Sequence, residues 1–386
     1  MRDVMAGHVA ADTVGGLAWL ASCGDELEFG VAGRLTRDEP APVRRDSIFR
    51  IASMSKPIAA VAALILVEEC KLRIDDPVDA LLPELADRKV LVDGRGALDG
   101  ATVPARRPIT LHDLLTFRLG WGMDFGAGWP QPVLTRMGEL GLGDGPPNPQ
   151  TPPDPDEWIK RLGTLPLQYQ PGERWLYNVG SDVLGVLIAR AAEQPLDQFL
   201  RERVFAPLGM ADTGFWTSDT DRLGTTYGLD PMTAERIVYD APTGQWASAP
   251  AFPSAAGGLV STIDDFHAFG RMLLSGGRLP DGSKLLSRAS VAAMTTDQIG
   301  AGPGVPGPSL DGAQGWGFGV AVQMRRTSLA PSVGGYGWAG GLGSSWGNDP
   351  AENVIGVVLT TDMFTGAFPP PVTIQDFWSG LYASLE

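Results

Sequence analysis

Apolar residues come in short runs at the two ends of the chain and in longer stretches through its middle. Residues 17–22 (Leu-Ala-Trp-Leu-Ala-Ser) and 27–32 (Leu-Glu-Phe-Gly-Val-Ala) are strand-length runs split by Gly24-Asp25, the pattern of a hairpin. Ser47–Ile51 reads as a further strand. It leads to Ile58–Val67, where apolar residues fill nearly every position, so a helix buried on all sides is predicted. Ile74-Asp75-Asp76-Pro77 is expected to open a helical stretch with Pro77 near its first turn. Residues 109–117 predict a helix capped by Thr110, with Asp113 three residues on. Further helices are expected at 156–163, Ser181–Ala192, Leu196–Val204 (ended by Pro207 and Gly209) and Asp264–Leu274. Thr262 and Asp265 stand at capping-box spacing before the last of these.

The segments between are punctuated by glycine and proline. Residues 120–155 form a long Gly/Pro-rich stretch whose end, 143–155, has too many prolines for regular structure. Its Trp121, Met123, Phe125 and Trp129 suit either a pocket wall or surface packing. Gln170–Glu173 is a turn. A short strand, Arg236–Tyr239, precedes a Pro/Ala/Gly loop, and the 120–155 and 230–256 loops are expected to shape a pocket. Strand patterns return at Gly315–Val322, Trp338–Trp346 and Val354–Thr361, and Thr373–Leu385 closes as a helix. Strands at both ends with helices between them predict an α+β fold. An antiparallel sheet is built from the N- and C-terminal segments and flanked by helices, and a mainly helical domain is inserted. The expected division is 1–75 with 300–386 for the sheet domain and 76–299 for the helical one, with an active site at their interface.

Composition narrows the function classes. With 386 residues, 44% hydrophobic and 19% charged, the chain can bury a large core. A formal net charge of −15 argues against nucleic acid and anionic membrane as partners. The longest apolar run is about half the length of a membrane span. Residues 1–11 have no apolar core of the signal-peptide kind, so a cytoplasmic location is expected. Cys23 and Cys70 are expected to be two buried thiols. His8, His112 and His267 have no metal-ligand spacing, so neither metal nor cofactor is expected.

The candidate chemistry lies at Ser53-Met54-Ser55-Lys56. On a helix starting near Ser53, the two side chains at i and i+3 share a face one turn apart. The positive end of the helix dipole and the apolar setting both disfavour an ammonium, which would make Lys56 a general base beside a nucleophilic Ser53. The competing reading is chance, since S-x-x-K arises about once in a chain this long. Against chance, this is the chain's sole S-x-x-K, the chain has 5 lysines against 25 arginines, and Lys56 stands on an otherwise charge-free helix.

Two more motifs follow in order: Tyr177-Asn178-Val179, inside Pro171-Gly172-Glu173-Arg174-Trp175-Leu176-Tyr177, and Trp338-Ala339-Gly340. Leu114–Gly120 and Gly257–Thr262 add two similar blocks. Together these resemble the serine β-lactamase-like superfamily of class C β-lactamases and penicillin-binding DD-peptidases, and most closely the family VIII carboxylesterases. The resemblance implies a β-lactamase/DD-peptidase-like fold. It implies Ser53 as acylated nucleophile, Lys56 and Tyr177 sharing proton transfer, and an oxyanion hole from the backbone N–H groups of Ser53 and Gly341. A Lys56 ammonium favours the Tyr177 phenolate, and the pair is expected to titrate as a unit with the proton assigned to neither member. Trp338, Gly340, Asn178, Val179, Trp121 and Phe125 are the candidate substrate-binding residues. The chain departs from the lactamase pattern where Val179 replaces the asparagine of Tyr-x-Asn and Trp338 replaces the lysine of Lys-Thr-Gly. Loss of that cation favours a neutral, short-chain ester over a carboxylate-bearing β-lactam as the small-molecule substrate. β-Lactamase, amide hydrolase or acyltransferase activity uses the same acyl-serine, and a non-catalytic binding module is the reading from another class. Gly343-Ser344-Ser345-Trp346-Gly347 also spells G-x-S-x-G, but a nucleophile elbow needs a strand before it and a helix after it, and no histidine follows His267.

Overall fold

The two ends of the chain meet in one antiparallel sheet. The computed structural model describes all residues except 144, 231, 302–306, 310, 365–369 and 386. The chain begins with helix α1 (Arg2–Ala10) and the hairpin β1 (Gly16–Cys23) and β2 (Glu26–Gly33). It then passes through helices α2 (Ser55–Glu68), α3 (Leu111–Leu115), α4 (Val179–Ala192) and α5 (Ile263–Leu274). It returns as β3 (Gln314–Trp316), β4 (Ala321–Gln323), β5 (Tyr336–Gly340), β6 (Ser344–Asp349) and β7 (Val354–Thr360), and closes with α6 (Val372–Ala383). Among the described residues the strand order is β2-β1-β7-β6-β5-β4-β3. Trp19 pairs with Val358, Ser345 with Val358 on the other side, and Trp338 with Trp346.

Both faces of β1 and β7 are covered, which is why these strands read as continuous apolar runs instead of alternating ones. Ala18, Leu20, Val357 and Leu359 enter the large core with α2 and α5. Leu17, Trp19 and Val358 lie under α1 and α6 with Met5 and Phe377. Helix α2 runs through the interior, with twelve of its fourteen residues buried, so it has no polar face to show in the sequence. Its neighbour α4 packs in turn on α3, whose Thr110–Asp113 capping box forms as expected. Helix α5 falls within 76–299 but packs on β7, β6 and β1, where Asn348 Nδ2 donates to Gly270 O at 2.7 Å.

Several expectations give way to tertiary context. Residues 74–77 form turns in place of a helix, because Pro77 bridges to Thr110 and Val78 N–H donates to Ile109 O. The strand at Ser47–Ile51 shrinks to Phe49–Arg50, paired with Val260–Ser261. The 120–155 stretch contains a helix, Pro132–Glu139, with Pro132 in its first turn and Val133, Leu134 and Met137 buried. The helix at Leu196 outruns Val204 through a π-helical turn, Arg201–Phe205, and ends at Gly209, where φ is +70°. Pro207 lies inside this run. Gly315–Val322 is split into β3 and β4 by a turn with Gly319 at φ +73°. Helix α1 has no counterpart in the sequence reading. Cys23 and Cys70 are exposed free thiols, not buried ones: Cys23 ends its strand and Cys70 lies in the turn after α2. Among the described residues no helix is long and apolar enough to cross a membrane.

One buried ion pair supports the segment entering Ser53. The Arg50 guanidinium is bonded to Asp240, Thr226 Oγ1 and the carbonyls of Gly224 and Ala241. Removing one partner strands a buried charge. Asp240→Ala is expected to cost about 3–5 kcal/mol, read as a lowered denaturant midpoint. A loss below about 1 kcal/mol would place the pair with weak surface bridges.

Candidate active site

Ser53 sits on a tight elbow between Phe49–Arg50 and α2, in a single 3₁₀ turn, Ala52–Met54. Ala52 holds φ at +43°, a region alanine rarely occupies, and local strain of this kind persists only where neighbours impose it. Those neighbours are specific. Ile51 N–H donates to Leu259 O, and Ile51 O accepts from Ser344 Oγ at 2.8 Å. Ser55 Oγ donates to Ala52 O at 2.7 Å and accepts from Leu259 N–H at 3.2 Å. A Cβ on Gly340 would fall 2.2 Å from Ile51 O, so only glycine lets the end of β5 approach the elbow.

Lys56, the second residue of α2, is buried and reaches Ser53 Oγ at 2.9 Å. Its ammonium also donates to Asn178 Oδ1 at 2.8 Å and Ala256 O at 2.6 Å, and lies 4.6 Å from the centre of the Tyr177 ring. Burial pulls the Lys56 pKa down to about 7, against the opposing pull of the Asp182 carboxylate. Desolvation is the chief cause, and it favours the neutral amine.

At Tyr177 desolvation is the larger effect. Burial pushes its phenol above the ordinary tyrosine value, outweighing the hydrogen bonds with Ser53 and Trp338 that favour the phenolate. At neutral pH it is a phenol, not a phenolate. Its oxygen accepts from Trp338 Nε1 at 2.7 Å. Phe117, Phe125, Trp175 and Trp338 surround the ring with centroids 5.2–5.7 Å away, which fixes its position. Trp338 thus does more than the apolar wall expected of it, since its donor engages the tyrosine. Asn178 holds φ at +85° and puts its side chain on Lys56 even though the third motif position is Val179.

A cavity of about 890 Å³ opens over Ser53. Tyr177, Asn178, Val179, Trp338, Gly341 and Phe125 are among its lining residues, with Ser53 itself. Two candidates do not reach it. Trp121 is fully buried with Nε1 donating to Pro166 O at 2.7 Å, so it is a core residue. Gly340 faces Ile51, and its role is the close approach of the strand. The proline stretch roofs the cavity: Tyr239 Oη donates to Pro147 O at 2.6 Å, and Gln150 Nε2 donates to the carbonyls of Gln245 and Ser248. Asp144 of that stretch lies outside the described residues. Among the described lining residues Asp182 and Asp311 are acidic, and there is no lysine or arginine. Ser345 is the second residue of β6, paired with Val358, and its Oγ accepts from Trp378 Nε1; a strand, not a helix, follows it.

Sequence reasoning missed Ser55, Ala256 and Asp182. For Asp182 the signal was available: it is a charge in the first turn of an apolar helix, the argument that picked out Lys56.

The beta-lactamase family model matches residues 1–374. Protein Rv1367c of Mycobacterium tuberculosis is 39% identical over 341 residues, covering 85% of this chain and 81% of that protein. Esterase EstB of Burkholderia gladioli is 32% identical over 378 residues, covering 92% and 88%. Among solved structures, EstCE1, a hydrolase with promiscuous acyltransferase activity, superposes with a TM-score of 0.79 at 26% identity, covering 98% of this chain and 97% of that one. The elbow serine, the buried lysine and these likenesses over most of the chain agree, and the chain belongs to the beta-lactamase family, close to its family VIII esterases.

Proposed function

We propose that this protein is a serine hydrolase of short-chain, neutral carboxylic esters, working through an acyl-enzyme on Ser53. The observation that carries the reading is a buried, weakly basic Lys56 amine 2.9 Å from Ser53 Oγ. Neutral Lys56 takes the Ser53 proton as Oγ attacks the ester carbonyl. The backbone N–H groups of Ser53 and Gly341 are assigned to the developing oxyanion. Tyr177, held as a phenol by burial, gives its proton to the departing alkoxide and regains one from the Lys56 ammonium. Water then attacks the acyl carbonyl and gives a proton to Lys56, and Ser53 Oγ takes that proton back as the C–O bond to the acyl group breaks and the acid leaves. Trp338 keeps the Tyr177 oxygen occupied on one side, which leaves the phenolic proton to point at the reaction.

Preference for neutral esters is supported by the absence of lysine and arginine among the described lining residues and by Trp338 at the position of the lactamase lysine. Kinship with EstB, named an esterase, and with EstCE1 supports the same reading. The promiscuous acyltransferase activity of EstCE1 favours a second outcome, release of the acyl group to an alcohol in place of water. The proposal also places the site between a sheet part, 1–75 with 300–386, and a helical part, 76–299. It includes a cytoplasmic location, supported by two exposed unpaired thiols, which stay reduced there.

The test compares p-nitrophenyl butyrate with a chromogenic cephalosporin, with alcohol added to the ester assay to measure acyl partition. The ester should be turned over well and the cephalosporin slowly or not at all. A better rate on the cephalosporin would show that the missing cation does not decide the substrate.

A further inference from the structure

Asp182 is a buried carboxylate that the acyl transfer described above leaves without a part, and it is linked to Lys56 through a single peptide segment. Its Oδ1 accepts from Ser254 Oγ at 2.7 Å and from Ala256 N–H at 3.0 Å. The carbonyl of the same Ala256 accepts from Lys56 Nζ at 2.6 Å. We infer that Asp182 is a positioning residue for Lys56: it fixes the Ser254–Ala256 backbone that orients the amine and supplies the negative charge that balances the proton Lys56 takes from Ser53. This rests on the reading of Ser53 and Lys56 as nucleophile and base.

The start of α4 delivers three groups to one lysine: the Tyr177 ring, Asn178 Oδ1 and Asp182. Among the described residues, Asp182 and Tyr177 are the titratable groups facing Lys56. Asp113 of neighbouring α3 is engaged instead by Arg107 and Thr110. Burial favours the neutral phenol at Tyr177, so Asp182 is the acidic group that shares a proton with Lys56. Proton transfer from Ser53 to Lys56 creates a cation shielded from water, and a nearby carboxylate stabilises that cation. Burial outweighs the pull of Ser254, the Ala256 N–H and Lys56 and holds the Asp182 carboxyl above the usual carboxylate range. The two groups titrate as a pair. The logic is that of a nucleophile, a base and a group orienting the base, with a backbone amide relaying the orientation.

Asp182→Asn keeps the Oδ1 acceptor and removes the charge. The full-length variant is assayed on p-nitrophenyl butyrate across pH, and a fluorophosphonate probe reports labelling of Ser53. Expected are retained labelling, KM close to wild type, kcat lower by about tenfold or more, and an acid limb of kcat/KM displaced about one pH unit downward. The downward sign follows because the lost carboxylate favoured the ammonium. An acid limb in its wild-type place in a folded variant overturns the inference and leaves Asp182 a structural group. Should Asp182→Asn not fold, Ser254→Ala carries the test. It leaves the carboxylate less stabilised, so a smaller displacement in the same direction is expected, and an unmoved limb overturns the inference. Absence of labelling at Ser53 in the wild type would instead overturn the underlying reading of the nucleophile.

Discussion

Ser53→Ala is expected to lower kcat on p-nitrophenyl butyrate by about 10⁴- to 10⁶-fold, while Ser345→Ala keeps most of the activity. The two serines have comparable sequence credentials, each within a known catalytic pattern, and the fold separates them. Ser53 stands on a turn with Ala52 at φ +43°, and its Oγ meets the Lys56 amine. Ser345 is paired within β6 with Ala339 and Val358, and its oxygen accepts from Trp378. No base is in hydrogen-bond reach of Ser345 among the described residues. Steady-state rates for both variants, with unfolding midpoints as a check on folding, decide the matter. Retained turnover in Ser53→Ala together with loss in Ser345→Ala would reverse the assignment.

Lys56→Met is expected to cost about 10²- to 10⁴-fold in kcat/KM, and the wild-type pH profile carries the same information without a substitution. The active form of Lys56 is the neutral amine. With its pKa drawn down to about 7, that form dominates above neutrality and is lost as pH falls. The rate should therefore drop tenfold per pH unit on the acid side of that value. Tyr177 acts as a phenol and burial holds its pKa above the ordinary tyrosine value of about 10. The profile should then rise to a plateau that lasts through the alkaline range, not a bell centred near neutrality. A sharp alkaline fall in an enzyme that remains folded would assign a lower-pKa acid to the leaving group. A Lys56→Met variant with wild-type kcat/KM would remove the lysine from the reaction.

Much of the fold was legible because it follows from local pattern. Strand-length apolar runs at both ends, helical stretches between them and capping pairs such as Thr110–Asp113 are short-range signals, and they produced the sheet, α2, α4 and α5. The failures came where partners distant in sequence set the outcome. Pro77 went to a bridge with Thr110 and not to a helix, and the continuous pattern at 315–322 broke where Gly319 turns the chain beside α2.

The site divides in the same way. Ser53 and Lys56 could be named from spacing, because S-x-x-K puts two side chains on one face by helix geometry alone, and Tyr177 from the resemblance that its motif carries. Their protonation states could not. The charge of a nearby ammonium is visible in the chain, but the desolvation that opposes it is not: the aromatic shell of Phe117, Phe125, Trp175 and Trp338 comes from distant segments and makes burial the larger effect on Tyr177. Trp121 and Phe125 looked alike in the chain, yet one is a core residue and the other lines the cavity. What the sequence by itself determined is which residue types stand at which helical and strand spacings. What only the tertiary structure decided is how buried each one is and which distant groups it meets, because dielectric environment and hydrogen-bond partners come from segments far apart in the chain.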